Sequence, residues 1–241
     1  MPSTDWAGLA STLADALHLA TPPIAITFSA SSPVGVAAFD AAMPPPAGDG
    51  RTGRVPAGCV FWIRATERTF VTVPEDHGNC SVGSLTHGLK TLEEVAGNED
   101  VAALLQSGWV SPEMIPQIPT VPERPGAITY GPLAETPVDP DVVLLRVNGR
   151  QMMVPSDAMP GMRVEGKPQC HIVAVAKEQD EPAASVGCAL SRARTGMQPH
   201  EMTCAIPARQ LADVVARVAT AADVDGVVAK YAVEDARRFG G

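Results

Sequence analysis

Four of the five cysteines in this 241-residue chain fall into two matched pairs, and no other feature constrains the fold as strongly. Cys59 opens the apolar segment Cys59-Val-Phe-Trp-Ile-Arg-Ala, and the β-prone run Thr69-Phe-Val-Thr-Val-Pro74 leads on to Cys80. Cys170 opens Cys170-His-Ile-Val-Ala-Val-Ala, and Ala183-Ala-Ser-Val-Gly187 leads to Cys188. The spacings are 21 and 18 residues. Each half therefore reads as cysteine, helix, strand, cysteine, and two thiols per half can bring four thiolates to one point.

The surrounding pattern supports that division. Trp6, Leu9, Leu13 and Leu17 have helical spacing, and Pro22-Pro23 ends that helix and launches the strand Ile24–Phe28. A loop is expected over 29–56, mobile around Gly48 to Gly53. Helices are expected from about Ser84 to Lys90 and through Val101, Leu104 and Leu105. Residues 111–140 contain eight prolines and read as a connector over the surface. The pattern restarts with the buried strand Asp141–Val147, and Asn148-Gly149 signals a tight turn. Glu201–Ile206 is a strand, and two helical stripes follow, Leu211 to Val218 and Val224 to Tyr231. The expected fold is α/β (mixed α+β), one compact domain over 1–241. It has two similar halves, 1–110 and 141–241, related by a pseudo-repeat with the cysteine site between them.

The formal net charge of −9 argues against a nucleic-acid partner, because phosphate binding needs clustered Lys and Arg. No apolar run of about 18 residues is present, so no membrane partner is expected. The first residues lack a basic stretch followed by an apolar one, so no leader is expected. With an odd cysteine count this points to the reducing cytoplasm, where cysteine pairs are more often metal-binding or catalytic than disulfides.

Cys59 and Cys170 are expected to begin helices, where unpaired N–H groups lower a thiol's pKa. Cys80 and Cys188 are expected to end strands beside Gly78 and Gly187, where the backbone can approach a cofactor. Four thiolates suit an iron–sulfur ([4Fe–4S]) cluster, with structural zinc as the alternative, although the short C-x-x-C knuckles of zinc ribbons are absent. Nucleophilic or redox thiols and plain buried cysteines are the other readings. Cys204 sits in an alternating strand and reads as core. His77 stands three residues before Cys80 and is a further ligand or a solvated loop residue. His171 is a proton donor or a helix-surface residue, and His87 complements a helix C-terminus. Arg192, with Arg194 after it, either offsets the charge of a thiolate cluster or binds a small anion; a salt bridge to Glu201 is the alternative. Gly161–Pro168 nearly matches a phosphate-binding loop, but Pro168 stands where a hydroxyl must bind magnesium, so nucleotide binding is rejected.

Thr21-Pro-Pro-Ile-Ala-Ile-Thr-Phe28, Cys80 with Gly88-Leu89, and Gly187-Cys188-x3-Arg192 followed by Glu201 and Ile206-Pro207 together resemble domain-of-unknown-function family 169, over roughly residues 8–220. The resemblance implies that Cys59, Cys80, Cys170 and Cys188 are family positions and that Cys204 is not. It implies no reaction. An iron–sulfur protein, a thiol- or zinc-dependent enzyme acting on a small anionic substrate, and a non-catalytic ligand-binding or sensing protein all remain open. A small-molecule ligand or a redox partner fits each of them.

Overall fold

The computed structural model describes residues 4–41, 53–166 and 168–240. Of the loop expected over 29–56, residues 42–52 lie outside the described residues, and with them most of the part expected to be mobile, as does position 167 of the rejected phosphate-loop match.

The chain forms a mixed α/β fold around one seven-stranded sheet of order β2-β3-β1-β4-β7-β6-β5. These strands are β1 (Ile24–Ser29), β2 (Phe70–Thr72), β3 (Ala127–Pro132), β4 (Val142–Asn148), β5 (Arg163–Glu165), β6 (Ala183–Ser185) and β7 (Glu201–Pro207). All pairings are antiparallel except β5 with β6. Read outward from the central β1–β4 pair, the strand order is β1-β3-β2 on one side and β4-β7-β6-β5 on the other.

Alternation along the strands divides the core into two layers. Ala25, Val143, Leu145 and Ile206 face one side. There they meet α1 (Trp6–Leu17), α6 (Gly149–Ala158) and the long α9 (Leu211–Arg238). Ile24, Ile26, Val142, Leu144 and Ala205 face the other side and pack against α2 (Cys59–Arg64) and α7 (His171–Ala174). β4 is covered on both faces, which is why its sequence is an almost unbroken apolar run.

Three expectations need correction. The proline-rich stretch 111–140 contains β3, a wholly buried strand between β1 and β2. Its prolines flank the proline-free run Ala127–Tyr130 and leave that run's backbone free to pair. Asn148-Gly149 is not a turn: the Asn148 side chain accepts the Gln151 amide at 2.9 Å while Gln151 accepts the Asn148 amide. This capping box starts α6 directly from β4. The last two helical stripes belong to one 28-residue helix, α9, and Val224, Val227, Val228 and Tyr231 are exposed on it. Among the described residues no helix is long and apolar enough to cross a membrane.

Candidate functional site

Cys59, Cys80, Cys170 and Cys188 line one cavity on the α2/α7 side of the sheet, together with Trp62, His87, Gln169 and Ser191. All four stand at the start of short helices. Cys59 is the first residue of α2, and Cys170 immediately precedes α7 with a near-helical backbone (φ −67°, ψ −18°). Cys80 precedes α3 (Ser81–Thr86) and Cys188 precedes α8 (Ala189–Thr195), with similar extended conformations (φ −132°, ψ 100° and φ −131°, ψ 129°). The expectation that Cys80 and Cys188 end strands is therefore replaced: a 3-10 turn, Pro74–His77, lies before the one, and Val186-Gly187 separates β6 from the other.

Long-range contacts fix these starts. The buried Asp100, on α5 (Glu99–Gln106), accepts the Ser81 amide at 3.0 Å and the Ser81 hydroxyl at 2.6 Å, which anchors the first turn of α3 beside Cys80. Gln169 donates to Ser191 at 2.8 Å and ties the approach to α7 to α8. Gly187 has φ +114°, and a Cβ there would lie 2.4 Å from the Arg192 guanidinium. Only glycine fits the turn that delivers Cys188.

Burial sets the electrostatics. It pushes the Cys59 thiol up to about 12, against opposing hydrogen bonds from Ser191 and Gln169. It raises Cys80, opposed chiefly by the Gly83 amide, and raises Cys170 strongly. Neighbouring cysteines add to each shift. Helix-start positions were expected to lower the pKa of Cys59 and Cys170; the desolvation of the charged form outweighs the few N–H groups that such short helices offer. Cys59, Cys80 and Cys170 are thus neutral thiols. Four thiolates in so dry a space require positive charge among them.

The cavity wall also carries buried polar atoms with no hydrogen-bond partner among the described residues: Nε1 of Trp62, Nε2 of His87 and Oε1 of Gln169. His87 is 1% exposed, and its Nδ1 lies 2.9 Å from the Gly83 carbonyl oxygen. The pKa of His87 is lowered by burial to about 4. It is a neutral imidazole whose second nitrogen is uncommitted, the state in which histidine binds metals. Sequence reasoning assigned His87 only to a helix end. Its spacing of seven from Cys80, two helical turns, was the available signal.

Other expected residues lie elsewhere. His77 is neither solvated nor among the cavity-lining residues: it is buried, its Nε2 is 2.9 Å from the Thr72 hydroxyl, and it packs on Phe61 at 4.7 Å between ring centroids. His171 is buried rather than on a helix surface, and burial lowers its pKa to about 4. Arg192 donates to the backbone carbonyls of Val186 at 2.8 Å and Glu201 at 3.0 Å, while the Glu201 carboxylate pairs with Arg146. The arginine whose charge acts on Cys80 is Arg194, two residues further along α8. Cys204 is fully buried on the opposite face of the sheet, its sulfur 3.7 Å from that of Met162.

Four thiols and an imidazole form a soft donor set, matched to iron–sulfur clusters or zinc. Among the described residues no three His, Cys, Asp or Glu side chains stand ready to hold a single metal ion. The cavity volume is about 20 Å³, room for one water. A cubane is larger than this volume, so its entry would require the cavity wall to yield.

A family model described as Uncharacterised ArCR matches residues 12–217. The chain belongs to this family, domain-of-unknown-function family 169. No curated protein and no solved structure matches the chain.

Proposed function

We propose that this member of family 169 is an iron–sulfur protein in which Cys59, Cys80, Cys170 and Cys188 hold a [4Fe–4S] cluster, with a redox or small-molecule role. One observation carries the reading: four cysteines, two from each half of the chain, line a single cavity. A cluster brings the positive charge that thiols gathered at one poorly solvated point need in order to ionise. It supplies one-electron chemistry or an open iron position. The chain's own groups would tune it: Trp62 Nε1 has a proton to donate to sulfur, Arg194 offsets thiolate charge near Cys80, and His87 Nε2 offers a fifth donor. Zinc is the weaker reading, because a lone ion needs its sulfurs about 2.3 Å away on every side, and no such grouping is present among the described residues.

The test is anaerobic purification and reconstitution with iron and sulfide. The expected product has a broad visible charge-transfer band and about four iron and four sulfide per chain. Stoichiometric zinc with no iron uptake would favour the zinc alternative. Neither metal, with thiols that react with alkylating agents, would leave thiol chemistry as the function.

A further inference from the structure

A second cavity, of about 210 Å³, adjoins the cysteine cavity, with Val82 and Pro168 in the walls of both. α3, α4 (Leu92–Val95), α5 and the segment 109–119 enclose it, through apolar side chains such as Leu85, Leu104, Trp109 and Ile115. One end is polar. There Arg163 and Glu165 form an ion pair at 3.0 Å, and Arg163 also donates to Gln179 at 2.6 Å. His171 completes this end, 6% exposed, and its Nε2 is buried without a partner among the described residues.

The polar end specifies the head group. Its two formal charges neutralise each other, so an anionic or cationic ligand would lose hydration without gaining an unpaired counter-charge. The Glu165 carboxylate, 3.9 Å from His171 Nδ1, favours the tautomer with the proton on Nδ1 and leaves Nε2 as an acceptor. A buried acceptor calls for a donor. We propose that this pocket binds a neutral, largely apolar molecule carrying a hydroxyl group, a phenol or a medium-chain alcohol, with the hydroxyl donating to His171 Nε2. The inference does not rest on the cluster reading, since none of its polar contacts involves a cysteine.

Four naphthalenes that share a ring system test it by calorimetry on the purified protein: 2-naphthol, naphthalene, 2-naphthoate and a naphthylmethylammonium salt. The expected result is saturable binding of 2-naphthol, with naphthalene about tenfold weaker for want of the hydrogen bond. The two charged analogues should be weaker still. Leu104→Trp, which fills the pocket, should abolish binding, and His171→Phe should erase the preference for naphthol over naphthalene. If Leu104→Trp does not fold, Val101→Phe narrows the same wall. Failure of 2-naphthol to saturate, or full binding in the folded filled variant, would overturn the site. Tightest binding by the carboxylate or the ammonium compound would overturn the head-group assignment. Iron content plays no part in any of these readouts, so failure here and failure of the cluster reading are separable.

Discussion

Nδ1 of His87 lies 2.9 Å from the carbonyl oxygen of Gly83. A carbonyl can only accept, so Nδ1 carries the ring proton and the lone pair is on Nε2, which has no partner among the described residues. A single bond from the His87 ring to the backbone of α3 thus sets the chemical state of an imidazole that lines the cysteine cavity.

If that nitrogen serves the site, His87→Ala lowers metal affinity by about ten- to a hundredfold, as loss of a ligand or its close support does. Chelator competition on the reconstituted protein measures this. His87→Gln keeps a polar side chain without the imidazole nitrogen and should recover only part of the loss. Equal retention in wild type and His87→Ala would assign the ring to packing.

The sheet separates Cys188 from Cys204. Cys188→Ala removes a thiol from the cavity and should abolish or greatly reduce iron loading. Cys204→Ala acts on the other core layer, next to Met162, and should keep full loading at a cost of about 1–2 kcal/mol in stability. Iron analysis of both variants alongside urea melts decides the matter. Equal loss of iron would make Cys204 a ligand and dismantle the four-cysteine assignment.

The cysteine pairs were legible because each lies within a short apolar segment whose pattern is local. Their convergence was expected from the two matched pairs; the strand pairing of β1 with β4 at the centre of the sheet was not, because it joins segments distant in sequence. β3 was hidden for a similar reason: its partners, Ile24–Ser29 and Phe70–Thr72, are distant in sequence, while the prolines around it are local and loud. Arg192 and Arg194 are two residues apart on α8, and no spacing rule says which one turns towards Cys80. The sequence singled out neither Trp62 nor Gln169. Their role at the cavity emerges only from the polar atoms that folding leaves without partners among the described residues.

Acid should destabilise the metal-free protein. Burial lowers His77 well below its ordinary value near 6.5, and His87 and His171 to about 4. The unfolded chain therefore binds protons near pH 6.5 that the folded one refuses until about pH 4. Stability is complete above the unfolded value and is lost as pH falls through that window, by up to about 3 kcal/mol for each of His87 and His171. Denaturant midpoints at pH 7, 5.5 and 4.5 should fall steadily, and Thr72, which bonds His77, offers a check. Its replacement by Val should lower stability at pH 7. Midpoints that stay level across the series would mean that the histidines are hydrated or paired in solution.

Arg192 and Arg194 should separate fold from site. The Arg192 guanidinium lies over Gly187 and donates to the Val186 and Glu201 carbonyls, so it fastens the turn before Cys188 to β7. Arg192→Ala should cost about 1–3 kcal/mol, as loss of hydrogen bonds from a charged donor does, and because one nitrogen, Nη2, donates to both carbonyls, Arg192→Lys should restore part of that loss. Arg194 offsets negative charge at Cys80 and is partly open to solvent. Arg194→Ala should leave the denaturation midpoint nearly unchanged while removing a positive charge beside a thiolate. With a cluster bound, that favours the oxidised state, so the reduction potential moves to more negative values; without one, the Cys80 thiol becomes harder to ionise. Voltammetry of the loaded protein and alkylation rates of the metal-free protein read these two shifts. A potential that moves with Arg192→Ala but not with Arg194→Ala would reverse the assignment and return Arg192 to the site.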